Sequence, residues 1–392
     1  ELPQRTLGVG SGLYSMADQG AFLMIGLPKG GQTLDDVRAI LLEEITKLRN
    51  GDFSDKLIPA IINNTRLNLQ KSYESNRSRA NYYVDAFVNG QDWADVVAQL
   101  GRLEKRTKDD VVRVANKYFG DNNYAAIYKR QGDDPNELKL AKPQLTPIAM
   151  NRDASSKFLQ EIQNSKVEPI EPVFVDYDKD LTRLSAKNDI ELLYTRNITN
   201  DMFRLTYVYD YGSNNDPLLV PASSYITFLG TATKNAQQIK DEFYNLACSY
   251  SINIGADRSY VTLTGLSENM PAAMALMEEV LADAQVDTEA YNALIERMAQ
   301  DETNAKSNQS SNFSALTSYM FYGEHNPRTD ALTSGRLAKI NPTELTKAIA
   351  ALNHKQHRAI YYGKHSGKDV VDNINTLHRT PAKLQKVERV DR

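Results

Sequence analysis

One cysteine, Cys248, occurs in 392 residues, so an internal disulfide framework is excluded. Its place at the end of an amphipathic helix reads as a small buried apolar residue, and cysteine usage leaves the compartment open. There is no run of about 18 apolar residues, so no segment reads as a membrane-spanning helix. Excess positive charge is also lacking. A formal net charge of −4 gives no electrostatic reason to expect nucleic acid or an anionic membrane as partner. Neither a Gly-x-Ser-x-Gly elbow nor a Gly-x4-Gly-Lys phosphate loop is present. Gly8-x-Gly10-x-Gly12 lacks the following helix that a dinucleotide fingerprint requires. Without a starting Met or a signal-like segment, the chain is expected to be a piece of a longer precursor, with the periplasm and secretion as open options. Asn-x-Ser/Thr triplets at Asn63, Asn76, Asn197, Asn308 and Asn312 matter only in a glycosylating route and are read as chance.

What is present is ordinary globular protein, 41% apolar and 24% charged, long enough for two or three cores. Residues 7–27 read as a glycine-rich strand pair with a turn at Asp18-Gln19-Gly20 and a buried strand Ala21-Phe22-Leu23-Met24-Ile25. Thr33 caps a helix whose apolar stripe is Leu34, Val37, Leu41, Ile45 and Leu48, ended by Asn50-Gly51. A second helix spans Ser54 to about Tyr73, with Pro59 in its first turn. Further helices are expected near 80–88 and 107–118, and a strand at Tyr124-Ala125-Ala126-Ile127-Tyr128. Pro135, Pro143, Pro147, Pro169 and Pro172 mark a connector that includes one short helix from Asp153 to about Asn164. Strands follow at Ile190–Tyr194 and Phe203–Tyr209. A short apolar helix then runs to Gly230-Thr231, and a second carries Ala236, Ile239, Phe243 and Leu246 on one face. Two strands joined by Gly255-Ala256-Asp257 complete a hairpin.

The order repeats. Leu42-Glu43-Glu44-Ile45 corresponds to Met277-Glu278-Glu279-Val280, and Ala60-Ile61-Ile62 to Ala293-Leu294-Ile295. Val88-Asn89-Gly90 corresponds to Phe321-Tyr322-Gly323, Leu103-x-Lys105 to Leu337-x-Lys339, and residues 124–128 to 358–362. The offset stays at roughly 233–235 residues through all five landmarks. This predicts residues 1–132 as the C-terminal part of one domain, 133–177 as linker and 178–392 as a second, nearly complete copy. The expected fold is α+β, each copy a largely antiparallel sheet with helices packed on one face.

The stretch from Pro221 through Cys248 to Leu266 resembles the core of an insulinase/pitrilysin-type metallopeptidase domain. So do Gly323-Glu324-His325-Asn326-Pro327, the entry Ile340-Asn341-Pro342-Thr343-Glu344-Leu345, and Leu103 to Val111 in the first copy. The resemblance covers most of the chain. It implies one section of a protein that strings such domains, usually four, around a closed chamber, with zinc in one domain and walls from the others. The first copy resembles the end of the second domain of such a chain, and the second copy the third. In catalytic members the helix before Gly-Thr carries His-x-x-Glu-His. Here it reads Pro221-Ala222-Ser223-Ser224-Tyr225, so the frame is present and the ligands are not.

A catalytic zinc needs about three protein ligands and an open position for water. Pro221 and Tyr225 cannot replace histidine, and Ser224 cannot act as base. Glu296, Asp301 and Glu302, where the distal ligand would lie, read as solvated helix faces. No catalytic or metal residue is therefore assigned, and the substrate-binding residues stay open. Arg5 and Tyr14 lie near the family's carbonyl-binding Arg–Tyr pair, but nine residues apart instead of seven. His354 and His357, with His365 nearby, could share a metal on a helix, yet they read as a helix exit into a strand. His325 reads as a turn residue and His378 carries no signal. Tyr207, Tyr209 and Tyr211 alternate, so one strand face either meets a peptide or packs on the sheet's own helices.

The resemblance implies a non-catalytic chamber-wall section of a zinc metalloendopeptidase that degrades peptides. The fragment would be inactive alone, with zinc in the parent protein. Its partners would be a peptide substrate and the remaining domains or a catalytic partner subunit. The rival readings are an inactive paralogue acting as scaffold, and a separate metal-binding module on His354 and His357.

Overall fold

The computed structural model describes residues 5–16, 18–133, 141–147, 150, 152, 154–388 and 390. It separates into two compact units. One combines Glu1–Tyr124 with Leu181–Arg392, and the other is Ala125–Asp180.

In the larger unit, β1 (Gly8–Ser15) and β2 (Gly20–Leu27) form an antiparallel hairpin. Three helices follow, α1 (Leu34–Asn50), α2 (Leu57–Tyr73) and α3 (Asn76–Val88), then the short α4 (Trp93–Val97) and α5 (Gln99–Leu103), and α6 (Lys108–Tyr118). Helix α1 begins as its sequence demands. Thr33 and Asp36 form a reciprocal capping box, and Gly51 in the left-handed region closes the C-terminus. Its stripe is thinly covered, with Val37 alone fully buried. The hairpin departs further from expectation. Residues 21–25 do form a strand, but Phe22, Leu23 and Ile25 are exposed. Helix α1 packs on the hairpin, Val37 lying where a side chain at Gly26 would go, and Phe22 meets the Phe119 ring at 5.0 Å; among the described residues no third strand extends it.

The smaller unit includes α7 (Lys157–Asn164), capped by Ser156. Pro135 and Asp153 lie outside the described residues. Residues 124–128, expected as a strand, are not assigned to one, and Ile127 is almost wholly exposed.

The second run holds the main core. Its strands are β3 (Thr182–Ser185), β4 (Glu191–Arg196), β5 (Met202–Tyr209), β6 (Cys248–Ile254), β7 (Ser259–Leu266) and β8 (His357–Gly363). They form one sheet in the order β3-β4-β8-β5-β7-β6, in which only β4 and β8 run parallel. Phe203, Leu205, Tyr207 and Tyr209 alternate along β5 and are buried, while Arg204 is exposed. The helices are α8 (Leu219–Tyr225), α9 (Ala236–Asn245), α10 (Met270–Asp283), α11 (Thr288–Ser307), α12 (Gln309–Tyr322), α13 (Ser334–Leu337), α14 (Pro342–Ala350) and α15 (Gly367–Leu377). Those joining the core lie over the Leu205 face, and Tyr260, Ile360 and Tyr362 on the opposite face are partly exposed. The fold is α+β, its sheet largely antiparallel.

A hairpin followed by a run of helices occurs twice, with α4 present in the first run alone among the described residues. Hairpin β1–β2 precedes α1, α2, α3, α5 and α6, and hairpin β6–β7 precedes α10, α11, α12, α13 and α14. Helix α2 packs beside α9. Asn64 Nδ2 donates to the Tyr244 carbonyl at 2.7 Å, Arg66 pairs with Glu268 at 2.6 Å, and Leu67 is buried with Ala247 and Leu266.

Candidate functional site

The helix that frames the metal motif in the resemblance is α8. Its matching side chains hold the fold together. Pro221, Ala222 and Tyr225 are buried. The Tyr225 hydroxyl donates to the Asp287 carbonyl at 2.7 Å and accepts from the Asp287 N–H at 3.1 Å. Its ring meets Tyr291 edge-on at 5.5 Å. Ser223 donates to the Val220 carbonyl, and Ser224 is exposed. On α11, Glu296 and Asp301 are exposed, while Glu302 accepts from both the N–H and hydroxyl of Ser334, at 2.7 and 2.9 Å. Glu302 thus receives a helix start, not a metal. Proline offers no donor atom and Tyr225 is spent on Asp287, so this frame does not fit zinc. Among the described residues no group of three or more His, Cys, Asp or Glu could hold a metal ion.

The remaining sequence candidates are dispersed. Arg5 precedes β1 and pairs with Glu43 and Glu44, while Tyr14 is exposed opposite Ala21, so the two form no pair. His325 faces Asp330 at 3.4 Å in an exposed loop. His365 Nε2 contacts the Ser267 carbonyl at 2.7 Å. His354 is exposed at the end of a short turn, and His357 opens β8, which is the helix exit into a strand that the sequence indicates. Tyr207 and Tyr209 pack inside the core, and Tyr211 lies under the Lys355 ammonium. Cys248 opens edge strand β6, where burial pushes its thiol up to about 12.

The structure instead assembles a site around two residues that the sequence did not single out as functional, Glu278 and His378. Glu278 lies on the buried face of α10 between Met274 and Leu281, wholly out of water. One carboxylate oxygen contacts His378 Nδ1 at 2.7 Å. The other accepts from Asn353 Nδ2 at 3.2 Å and from the Arg379 N–H at 2.9 Å. His378 Nε2 then meets His357 Nε2 at 2.9 Å, and His357 Nδ1 contacts the Lys355 carbonyl at 2.7 Å. Tyr209 donates to Asn353 at 2.6 Å, and Tyr207 stacks on His378 at 4.1 Å. The only clue in the sequence was a carboxylate inside the apolar run Met274–Leu281.

Proton positions follow from this geometry. A carbonyl only accepts, so His357 carries hydrogen on Nδ1. Burial and the facing His378 push His357 down to about 4, so its Nε2 is a bare acceptor near neutrality. His378 must then donate from Nε2, and one further hydrogen lies between its Nδ1 and Glu278. The chain is a closed, fully used relay with no vacant coordination position. It fixes the residues after α15 to the middle of α10.

A second polar hub holds the Gly230-Thr231 loop. Glu279 accepts from the Thr231 and Thr233 hydroxyls, both at 2.7 Å, and from Lys234 at 3.0 Å. These donors, the hydroxyls foremost, hold its carboxyl at about 2.

Beside the relay opens a cavity of about 660 Å³. Lys187, His354 and Arg379 line it together with Ala275, Ala282 and Ala350, and among the described residues no Asp or Glu is in its wall.

No family model matches the sequence, and no curated protein matches it. Among solved structures the chain is similar to the peptidase M16 inactive domain from Pseudomonas fluorescens, at 17% identity and TM-score 0.46, over 54% of this chain and 52% of that one. It is also similar to the periplasmic protease PqqL from Escherichia coli, at 13% identity and TM-score 0.47, over 97% and 45%. A third is a mutant of the ferredoxin protease FusC in complex with Arabidopsis ferredoxin, at 13% identity and TM-score 0.47, over 100% and 46%. The chain spans about half the length of these structures.

Proposed function

We propose that this chain is a non-catalytic wall section of a zinc metalloendopeptidase that acts on peptides. The observation that carries the reading is α8. It occupies the frame of the inverted zinc motif in the sequence resemblance, with Pro221, Ser224 and Tyr225 at the ligand and base positions. Tyr225 is bound to Asp287 there. Zinc and hydrolysis belong, in this reading, to another part of the parent protein or to a partner subunit. The wall contributes sheet edges, since β3 and β6 end the sheet and, among the described residues, each has an unpaired side. An extended peptide would add there as a further strand, bound through main-chain hydrogen bonds.

The test combines metal analysis, a cleavage assay and hydrogen exchange on the purified chain. Expected are no zinc retained through dialysis, no cleavage of a quenched fluorogenic peptide library, and slowed exchange of β3 or β6 amides when a long uncleaved peptide is added. Peptide hydrolysis that follows stoichiometric zinc in this chain would overturn the reading.

A further inference from the structure

The cavity beside the relay has an electrostatic character at odds with the rest of the molecule. The chain as a whole is acidic, with 50 Asp and Glu against 46 Lys and Arg. The cavity wall has Lys187, His354 and Arg379 and, among the described residues, no carboxylate. The nearest buried acid, Glu278, is already matched by His378, Asn353 and the Arg379 N–H. Among the described residues Lys187 Nζ donates only to the Asn375 carbonyl, at 3.0 Å, and the Arg379 guanidinium has no partner. The wall also holds acceptors. Helix α15 ends at Leu377, and the carbonyls of Thr376 and Leu377 have no main-chain partner among the described residues, as the last turn of a helix leaves them. The same wall includes alanines of α10 and α14, Ala275, Ala282 and Ala350.

We propose that this cavity binds the C-terminal residue of a peptide that ends in an apolar side chain. The terminal carboxylate meets Arg379 and Lys187, with His354 adding a third donor. The last amide N–H meets the free carbonyls at the end of α15, and the side chain rests on Ala275, Ala282 and Ala350. An inorganic anion uses only the first of these features. A volume of about 660 Å³ accommodates one or two residues. The inference rests on the cavity wall alone and stands or falls apart from the zinc peptidase reading.

The test uses acetyl-Ala-Ala-Leu with a free carboxylate, its C-terminal amide, and inorganic phosphate. Each is titrated into the whole chain and followed by calorimetry and by the methyl NMR signals of Ala275, Ala282 and Ala350. The free acid is expected to bind and to shift those methyls. Amidation, Arg379→Ala or Lys187→Ala should each weaken it by about tenfold, the loss of one charge-assisted contact. Both variants should fold, because the main-chain N–H of Arg379 still reaches Glu278 and that of Lys187 still reaches Asn375. Unchanged melting curves check this. Equal affinity for acid and amide, undiminished binding by the folded double variant, phosphate binding as tightly as the peptide acid, or no methyl shift at millimolar peptide would each overturn the proposal.

Discussion

Two tyrosines two residues apart on β5 show how little of this site a residue's type reveals. Tyr207 and Tyr209 are both wholly buried, yet the Tyr209 hydroxyl donates to Asn353 while that of Tyr207 has no partner among the described residues. A buried unsatisfied hydroxyl is a cost, and a satisfied one a gain. Tyr207→Phe is therefore expected to leave stability unchanged or raise it by about 1 kcal/mol, whereas Tyr209→Phe lowers it by about 1–3 kcal/mol, because Asn353 then loses its donor. Urea unfolding of the two variants checks the order, and a larger loss for Tyr207→Phe would contradict it. His357 makes a second prediction. Its pKa falls from the ordinary 6.5 to about 4 in the folded chain, so between those values the unfolded chain holds the extra proton. Its contribution is complete above pH 6.5 and is lost as pH falls towards 4, at up to about 1.4 kcal/mol per pH unit. His357→Gln should flatten that part of a stability–pH profile, and an unchanged slope would remove His357 as its source. The sequence showed these residues as an alternating strand, a helix exit and a lone histidine. That they converge is a property of sheet order, which places β8 beside β5 and brings the end of α15 back to α10.

At the scale of elements the sequence was more informative, since caps and periodicity act locally. Thr33 heads its helix with a reciprocal capping box, and the Gly255-Ala256-Asp257 turn joins two paired strands, as the sequence indicates. Burial was less legible than element type. The apolar run Ala21–Ile25 reads as a core strand, but burial needs a covering layer, and periodicity does not reveal whether one exists. Gly265 illustrates packing that no local pattern signals. A Cβ there would lie 2.4 Å from Cys248 Sγ and 2.6 Å from the Ala247 carbonyl, because β6 crosses tightly against β7. Gly265→Ala is expected to cost about 1–3 kcal/mol through overpacking. Gly335→Ala, which meets open space on α13, should cost far less. Thermal melts of the pair check this, and equal losses would show that the β6–β7 contact yields without strain.

At the scale of the whole molecule, the contact pattern cuts across the order of the chain. Residues 1–124 belong to one compact unit with 181–392, although 56 residues of a separate unit, Ala125–Asp180, intervene. What joins them is specific. Leu67 is buried against Ala247 and Leu266, Asn64 donates to the Tyr244 carbonyl, Asn200 to Glu74, and Arg66 pairs with Glu268. The sequence divided the same chain by its repeat, because a repeat registers where a unit recurs and not which copy it packs against. The two views differ in a measurable way. If the interface is as stable as its buried leucine and hydrogen bonds imply, one cut in the connector should not release the halves. Proteolysis confined to the exposed stretch around Ile170–Val175 should yield two fragments that co-elute and melt in a single transition. Leu67→Ala removes the apolar centre of the contact and should cost about 2–5 kcal/mol. Because the clip has lost the covalent tether, that loss should show as dissociation of the cut protein but as a lowered melting point of the intact one. Fragments that separate on clipping the unsubstituted chain would mean that the connector, and not the α2–α9 contact, holds these two runs together.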